Sequence, residues 1–417
     1  MTIRSVKSVE HVRWIVLLPL LAGLASPVAA QQPAPAVTSG FQDGFFIQSA
    51  DGANRLVFGV VAQVDGRFSL DDPAPITDTF TVRKMRPTLS GRVARYFDFK
   101  VMPDFGNGTA VLTDAYLDIR FSPKFRVRSG KDKTPVGYEL LIGDAFVLFL
   151  ERSLATGLVP NRDVGVQVQG DLSPKVYYAA GLFNGVADGA SSTSDVDTNS
   201  GKDLAGRIVV QPFRTTTAPP RALNGLGFQI GVSAGPQAGA LPVLRTSVGQ
   251  TYFAYASGTT ASGTRTRITP SVFYYHRSFG VFGEFVRSAQ QVTRAGVAGD
   301  VANTAWNVTA SYLLTGEAAS SGITRPARSF DPTAGAWGAL QILARYAELH
   351  VDDDVFARGL AASNASAGAR QVTVGLNWFP ASVIKYYLNY ERTSFEPGSG
   401  PGREAENVVV FRAQLGI

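Results

Sequence analysis

Basic side chains recur at every second position in two stretches of this 417-residue chain. Period-two patterning predicts a strand at 80–93 and another at 124–128, each with apolar residues on one face and basic residues on the other. The basic faces carry Lys84, Arg86, Arg92, Arg126 and Arg128. Guanidinium groups fit oxyanions with paired hydrogen bonds and stay charged at physiological pH, so a row of them predicts successive weak sites for an anion.

Catalytic chemistry has little support in the sequence, which contains three histidines and no cysteine. His276 lies near Ser271 and Ser278, but an imidazole beside two tyrosines is typical of an aromatic belt at a membrane interface. His350 precedes three aspartates at 352–354, which offer oxygen atoms to a divalent cation but are typical of a solvated loop. We predict no enzyme activity, no metal site and no cofactor.

Composition narrows the class of protein further. Charged residues make up 17% of the chain, glycine contributes 43 residues, and the formal net charge is +6. The lack of cysteine excludes disulfide scaffolds and Cys-ligated metals, and it suits an exported chain. No long apolar run follows the first thirty residues, so the sequence also excludes a helical membrane protein.

The N-terminal residues have the pattern of a secretory signal peptide. Basic residues precede an apolar stretch that is too short to span a bilayer, and Ala30 fits the small-residue rule at a cleavage site. An uncleaved anchor is disfavoured because a polar, Pro-rich segment follows at once. We therefore expect a signal peptide at 1–30, a Pro/Ala-rich segment at 31–50 and a barrel domain at 51–417.

The elements that would position the basic residues are strands. Beyond the N-terminal segment, about seventeen short runs alternate apolar and polar residues, with Gly, Pro, Asn, Asp and Ser clusters between them. In one run, Val372, Val374 and Leu376 alternate with Thr373 and Gly375. This number and spacing predict an all-β protein, a transmembrane antiparallel barrel of about 16 strands with long loops at one end and tight turns at the other.

A soluble β-sandwich would show the same alternation. A sandwich buries its apolar face, whereas a large barrel turns that face to lipid and lines its interior with polar side chains and water. The export signal, the number of strands and the small polar residues of the second face favour the membrane barrel. The basic rows then face the lumen, because a charge on the lipid face costs about 2–4 kcal/mol at mid-bilayer.

The segment 131–162 differs from the strands around it. Residues 140–150 lose strict alternation, which fits either a loop folded into the barrel or a short amphipathic or buried helix. We predict an inward-folded constriction loop here. Asp98, Asp114 and Asp118 lie on neighbouring predicted strands, and we expect them to neutralise part of the basic face.

Several short motifs give the chain a family resemblance. The basic strand ends in Ser90 and Gly91, and the stretch 130–139 contains a Gly-Lys-x-Lys-x-Pro pattern. A Pro-Asn-Arg-Asp-Val-Gly sequence follows at 160–165, and a Gly-Leu-Asn-Trp-Phe-Pro sequence lies near the end at 375–380. In this order the motifs cover nearly the whole chain beyond the N-terminal segment. The chain resembles the phosphate-selective porins O and P of bacterial outer membranes.

That resemblance implies a homotrimer of roughly sixteen-stranded barrels, each with a constriction loop folded into its lumen. It implies that the narrowest zone is close to Lys131, Lys133 and Arg152. The approach to that zone would be lined by Arg83, Arg86, Arg92, Arg126 and Arg128. The expected partners are inorganic phosphate or other small anions and the lipid of the outer membrane, with no nucleic acid.

The expected function is a passive outer-membrane channel selective for anions. The family resemblance points to phosphate or polyphosphate as the ion that binds stepwise along the basic residues of the lumen. Two alternatives stay open, a general diffusion porin and a structural or adhesive barrel without an anion site.

Two features depart from the family pattern. The chain ends in aliphatic Ile417, where outer-membrane barrels commonly end in an aromatic residue. Pro87 interrupts the basic strand, and because proline cannot donate to a sheet, we expect a bulge or a rim position there.

Overall fold

The computed structural model describes residues 37–71, 75–192, 199–215, 222–400 and 402–417. The predicted signal peptide at 1–30 and the first part of the segment 31–50 lie outside these residues. No helix in the described part of the chain is both long and apolar enough to cross a membrane.

Strands dominate the described residues, and helices are short. The strands are β1 (Val37–Phe41), β2 (Phe45–Ser49), β3 (Arg55–Ser69), β4 (Thr79–Val93), β5 (Phe97–Asp104), β6 (Val111–Ser122), β7 (Phe125–Lys133), β8 (Arg162–Ser173), β9 (Val176–Phe183), β10 (Asp203–Val210), β11 (Leu226–Ala240), β12 (Leu244–Arg245), β13 (Thr251–Phe253), β14 (Thr260–His276), β15 (Phe279–Arg294), β16 (Val297–Leu313), β17 (Ala339–His350), β18 (Gly368–Ala381), β19 (Ile384–Glu396) and β20 (Glu406–Gly416). The α-helices are α1 (Tyr138–Leu141) and α2 (Asp353–Ala357), and 3₁₀ turns span Gly106–Gly108, Leu154–Leu158 and Ala222–Gly225.

Sixteen of the described strands form one closed antiparallel barrel, which confirms the predicted fold class. Strands β3 to β11 and β14 to β20 pair in chain order, and β20 closes the barrel by pairing with β3. The closing register sets Arg412 opposite Asp65. Strands β1 and β2 form a hairpin that continues along β3, while β12 and β13 form a separate hairpin in the connection between β11 and β14.

The barrel is polar inside and apolar outside. On β18, Gln371 and Thr373 have no exposed surface, whereas Val372 and Val374 between and beside them are 45% and 46% exposed. A soluble sandwich would bury the apolar face, so this pattern excludes that alternative. An apolar outer belt on a closed sheet is the surface that lipid covers in a membrane barrel.

The two ends of the barrel differ in the length of their connections. One end, called the loop end, carries the long connections 134–161, 184–202, 241–259 and 351–367. The other end, called the turn end, carries short turns such as 94–96, 123–124 and 174–175. The turn end also carries the long connection 314–338 between β16 and β17, which the sequence patterning did not predict.

The expectation for Pro87 was wrong. Pro87 pairs with Val60 inside the regular part of the β3–β4 ladder, away from a rim or a bulge. Strand β5 pairs with β4 only from Leu89 onward, so the missing N–H of Pro87 removes no hydrogen bond to β5.

Apolar side chains fill part of the lumen near the loop end. Leu158 of the connection 134–161, Phe253 of β13 and Leu360 of the connection 351–367 are almost fully buried there. They pack in one cluster with inward-facing residues of the wall strands β15 to β18, among them Val286 and Leu349. The polar part of the lumen therefore lies beside β4 and β7, the strands that carry the basic residues described in the sequence analysis.

Candidate functional site

The connection 134–161 folds into the lumen and is called the constriction loop, as predicted from the sequence. Its first turn is α1, so the alternative of a short helix holds for a single turn. Glu284 of β15 caps that turn, because its carboxylate accepts hydrogen bonds from the backbone N–H groups of Tyr138 (2.6 Å) and Glu139 (3.1 Å). These N–H groups have no partner within the helix, so the wall strand satisfies them and fixes where the loop enters.

The later part of the loop is bound by wall side chains that donate to its backbone carbonyls. The pairs are Gln414 to Ala145 (2.9 Å), Lys385 to Val147 (2.8 Å), Asn377 to Leu148 (2.9 Å), Arg412 to Leu150 (2.6 Å) and Arg345 to Glu151 (2.9 Å). The donors come from β17, β18, β19 and β20. Because these donors bind backbone carbonyls, they fix the course of the loop independently of its side chains.

A β-bulge on β4 turns two consecutive basic residues into the lumen. The register with β3 shifts at this point, where Gln63 pairs with Lys84 and Val64 pairs with Val82, so Arg83 has no partner in the ladder. A bulge places an extra residue in one strand and changes the direction of its side chains. Arg83 and Lys84 therefore face the same cavity, although strict alternation would send them to opposite faces.

Asp144 of the constriction loop binds four cationic side chains. Its Oδ1 accepts from Nζ of Lys84 (3.0 Å) and from Arg152 (2.9 Å). Its Oδ2 accepts from Arg86 and from Arg162 (3.4 Å). We call these five residues the eyelet. A carboxylate with four charged donors is bound in the manner in which proteins bind phosphate and carboxylate ligands.

Nearby carboxylates do not neutralise the eyelet. Asp104 binds Arg86 (2.6 Å), and Asp114 binds Arg162 (2.6 Å). Counting only described residues, these two carboxylates and that of Asp144 form ion pairs with five cationic side chains. The five are Lys84, Arg86, Lys100, Arg152 and Arg162. The region is therefore cationic on balance.

Two acidic residues of the constriction loop stay ionised in this setting. Burial would raise the pKa of Asp144, but the neighbouring cations, led by Lys84, hold that pKa well below its usual range. Glu151 binds Arg83 (2.8 Å) and Arg67 (2.7 Å). Burial would raise the pKa of Glu151 as well, and the guanidinium groups around it lower that pKa.

Two cavities meet at the eyelet. The loop-side vestibule has a volume of about 370 Å³ and is lined by residues that include Arg83, Asn161, Arg245, Thr246 and Ser247. The turn-side vestibule has a volume of about 430 Å³ and is lined by residues that include Lys100, Tyr116, Arg128 and Lys133. Arg86, Asp144 and Arg162 line both cavities, so these three side chains lie between the two vestibules.

A second connection folds over the loop-side vestibule and was not predicted. The hairpin of β12 and β13 brings Arg245 to the cavity wall, where its guanidinium donates to the carbonyl of Gly249 (3.0 Å). The hydroxyl of Ser247 donates to the inward-facing carboxylate of Glu391, which fixes the tip of the hairpin against the wall. The connection 241–259 thus adds one more cation to the approach.

Arginine in the turn-side vestibule is partly paired with carboxylates. Arg128 binds Asp118 (2.8 Å) and Asp132, and its guanidinium lies 3.9 Å above the ring of Tyr116. Arg126 lies nearer the turn end, and no carboxylate among the described residues forms an ion pair with it. On β7, carboxylates therefore neutralise Arg128 but not Arg126 among the described residues.

The connection 314–338 reaches the same vestibule from the turn end. Ile323 lines the turn-side vestibule together with residues of the constriction loop. Arg325 binds Asp43, in the turn between β1 and β2, at 2.7 Å. Ala319 donates to the carbonyl of Arg277 (2.6 Å), which attaches the start of this connection to the barrel. The turn-end mouth is therefore narrowed by chain segments as well.

Five of the eight predicted site residues line a vestibule. Arg83, Arg86 and Arg152 line the loop-side vestibule, and Arg128 and Lys133 line the turn-side vestibule. Arg86 and Arg152 both bind Asp144 and so belong to the eyelet itself. Of the three residues predicted for the narrowest zone, Arg152 belongs to the eyelet, and Arg86, predicted for the approach, belongs to it as well.

The other predicted residues lie away from the eyelet or bind the protein itself. Arg92 lies towards the turn end, is 39% exposed and binds Asp98 (2.7 Å), while Arg126 lies on β7 as described above. Nζ of Lys131 donates to the carbonyl of Ser192 (2.8 Å) in the connection between β9 and β10.

Lys133 has a different environment from the one expected of an anion ligand. Its Nζ donates to the carbonyls of Leu140 (2.6 Å) and Ile142 (2.9 Å) of the constriction loop. These bonds make Lys133 a residue that positions the loop, at the side of the turn-side vestibule.

Sequence reasoning missed several residues of the eyelet. Lys84 was assigned to the lumen face but not to the site, and Arg162 was taken only as the end of the loop. The Pro-Asn-Arg-Asp motif was the available signal for Arg162. Asp144 and Arg245 had no signal, because each lies in a loop whose path depends on long-range contacts.

Lumen-facing arginine alone does not identify an ion site in this barrel. Arg267 has no exposed side-chain surface, and it binds Asp188 (2.6 Å) and Asp203 (3.3 Å) beneath the connection 184–202. Arg412 binds Asp65 (2.6 Å) on the wall in the same way. These pairs attach loops and strands to each other, whereas the eyelet cations border two cavities.

The fold and the site together define an outer-membrane porin. A closed barrel with an apolar outer belt, a polar lumen and an inward loop that narrows it between two vestibules is the architecture of that class. The family model of phosphate-selective porin O and P matches residues 61–416. The chain therefore belongs to the phosphate-selective porin O and P family, and its place is the bacterial outer membrane.

Solved structures support the same fold. The outer membrane channel DcaP of Acinetobacter baumannii has a TM-score of 0.57 and 14% sequence identity, covering 91% of this chain and 100% of that one. OmpT, an outer membrane protein of Vibrio cholerae solved in a trimer form, has a TM-score of 0.52 and 13% identity, covering 88% and 100%. OmpF of Salmonella typhi, in complex with daunomycin, has a TM-score of 0.52 and 10% identity, covering 91% and 100%. Among curated proteins, a sequence comparison finds no match.

These comparisons place the chain among channels and not among enzymes. A Gly-x-Ser-x-Gly sequence at 231–235 lies within β11, whereas a hydrolase would have it at a turn from strand to helix. Ser233 in that sequence is buried and accepts a hydrogen bond from Arg267 (3.2 Å).

Proposed function

We propose that this porin is an anion-selective channel that conducts phosphate or other small oxyanions by stepwise binding to lumen cations. The observation that carries the proposal is the cationic eyelet, where four basic side chains bind the single carboxylate of Asp144 between two vestibules. Arginine and lysine at hydrogen-bond distance from one carboxylate form the donor set that binds oxyanions. The family name supports phosphate as the substrate.

The pathway supplies cations on both sides of the eyelet. Arg83 and Arg245 border the loop-side vestibule, and Lys100 and Arg128 border the turn-side vestibule. Conduction requires sites that bind strongly enough for an ion to enter and weakly enough for it to leave. A carboxylate that pairs with a lumen cation, as Asp118 does with Arg128, weakens the binding of a mobile anion to that cation. Weaker binding favours release of the anion and therefore its passage.

The test is the reversal potential of purified channels in a planar bilayer under a KCl gradient. We expect the sign that indicates preferential chloride flow, and we expect Arg162→Gln to move the potential towards zero. Arg370→Gln is the matched control, because it removes one positive charge from the exposed face of β18 next to inward-facing Gln371. A reversal potential of the cation-selective sign in the wild-type channel would overturn the proposal.

The outcomes of this test also separate the alternatives. An ohmic channel with a reversal potential near zero, unaffected by phosphate, would indicate a general diffusion porin. Folded protein that inserts without any conductance would indicate a structural or adhesive barrel. We also propose a homotrimer, which the trimer form of the Vibrio cholerae neighbour supports and which the mass of the detergent-solubilised assembly would test.

A further inference from the structure

The carboxylate of Asp144 occupies the centre of the eyelet, where a mobile anion would have to bind. Each of its oxygen atoms accepts hydrogen bonds from two cationic side chains, Lys84 and Arg152 at one and Arg86 and Arg162 at the other. A phosphate or carboxylate ion held by Arg and Lys would have the same surroundings. The protein thus places one of its own carboxylates in the donor set that its substrate needs.

The course of the constriction loop does not require this carboxylate. Beside it, the backbone carbonyl of Asp144 accepts from Gln63 (3.3 Å), and that of Ala145 accepts from Gln414 (2.9 Å). Glu284 caps α1 at the start of the loop, and wall residues bind the carbonyls of Val147, Leu148, Leu150 and Glu151. The side chain of Asp144 therefore has a function beyond holding the main chain in place.

Two of the four cations keep their positions without Asp144. Nε of Arg86 binds Asp104 (2.6 Å), and Nε of Arg162 binds Asp114 (2.6 Å). These second carboxylates leave the other guanidinium nitrogens directed at the eyelet. These two guanidinium groups are thus held by groups other than Asp144, and they would stay in place if another anion replaced that carboxylate.

We propose that Asp144 is a tethered competitor of the transported anion, a specificity-determining residue that occupies the eyelet between passages and is displaced by each anion. The proposal rests on the anion selectivity proposed above. A tethered group has a high effective concentration, so it weakens the apparent affinity of the eyelet for a mobile ion. Weaker binding shortens the time that each anion stays, which favours conduction.

The burial of Asp144 and the ion pairs around it are consistent with this function. Burial alone would raise the pKa of Asp144, but the neighbouring cations, led by Lys84, hold that pKa well below its usual range, so the competitor is charged at neutral pH. Asp144 lines both vestibules, so the displaced side chain remains in contact with the aqueous pathway.

The test is a titration of the chloride current with inorganic phosphate for the wild-type channel and for Asp144→Asn. Removal of the competitor is expected to lower the half-blocking phosphate concentration about tenfold or more, with longer blocking events. If Asp144 only braced the eyelet, the same substitution would disorder the cations and raise the half-blocking concentration. The sign of the change therefore decides between the two functions.

Asp98→Asn is the matched control, because it also removes one negative charge from the barrel wall. Asp98 lies on the same face of β5 as Lys100, but it is nearer the turn end and binds Arg92. Its half-blocking concentration should stay within about threefold of the wild-type value. Asp144→Glu retains a carboxylate and is expected to stay near the wild-type value. Heat-modifiable mobility on gels checks that each variant folds, and Asp144→Ser replaces Asp144→Asn if the latter does not.

The two proposals fail in different ways. A cation-selective wild-type channel would overturn the proposed function, whatever the variants do. An anion-selective wild-type channel whose half-blocking phosphate concentration is unchanged or raised in Asp144→Asn would overturn the competitor and leave the anion channel intact.

Discussion

Glu284 on the barrel wall accepts a hydrogen bond from the backbone N–H of Tyr138 at 2.6 Å, and so fixes the point at which the constriction loop begins. The eyelet residue Asp144 follows on the same loop. The position of its carboxylate therefore depends on a wall residue that does not itself line either described vestibule. Pore geometry in this porin is set by the bonds between wall and loop.

Substitution of Glu284 tests that dependence. In Glu284→Gln, a neutral amide replaces the carboxylate that accepts from Tyr138 and Glu139, and we expect the loop to fluctuate. Single-channel recording should show larger and noisier conductance, and phosphate should block less well. Glu348→Gln, on β17 but bound to the exposed Arg370, is the control and should leave the conductance unchanged. Identical conductance in both variants would contradict the anchoring function.

Lys133 separates loop positioning from direct anion binding. Its Nζ donates to the carbonyls of Leu140 and Ile142, so Lys133→Met should alter the unit conductance by releasing the loop. Lys133→Arg retains donors and should preserve most of the wild-type conductance. A loss of phosphate block with unchanged conductance in Lys133→Met would instead make Lys133 a direct ligand.

Arg267 should matter for stability. Arg267→Leu removes the nearer of the two guanidinium groups that Asp188 and Asp203 share, since Arg265 lies 3.8 Å and 3.9 Å from them, and it is expected to cost about 3 kcal/mol in the free energy of unfolding. Arg370→Leu removes an exposed ion pair and should cost less than about 1 kcal/mol. Urea unfolding in detergent micelles gives both values, and equal losses would show that burial does not determine the contribution of these pairs.

The acidic residues of the constriction loop predict a pH dependence. The folded-state pKa values of Asp144 and Glu151 lie below those of unfolded carboxyl groups, which are near 4. Their ion pairs therefore stabilise the loop fully above about pH 4, and the stabilisation is lost as the pH falls further. Single-channel recordings should therefore show noisier conductance as the pH falls from about 5 to about 3. A conductance that stays equally quiet down to about pH 3 would show that these two carboxylates do not hold the loop.

Sequence patterning predicts the wall of this porin because alternation is a local property. The apolar residues between and beyond Lys84 and Arg86 predict that both basic side chains point into the lumen. Both side chains are buried in the structure, as this prediction requires. The bulge that adds Arg83 to the same cavity could not be read from alternation, since it depends on how β3 and β4 align. Register is a property of two strands together.

The loops were harder to predict than the strands. The contact of Asp144 with Lys84 joins residues far apart in sequence, and it exists because wall side chains bind the loop carbonyls. The hairpin that carries Arg245 is fixed by a similar long-range contact, from Ser247 to Glu391, and the connection 314–338 is attached by the contact of Arg325 with Asp43. Family resemblance located the basic region, and the structure supplies which cations share a carboxylate.

The central claim is that the eyelet binds oxyanions on their way through the barrel. The most direct measurement is the effect of inorganic phosphate on the chloride current of single wild-type channels, at constant ionic strength. The account predicts a saturable block that a substitution at the eyelet, such as Arg162→Gln, weakens about tenfold or more, as expected for the loss of one charge-assisted hydrogen bond. A chloride current that phosphate leaves unchanged, in channels that are open and correctly folded, would contradict it.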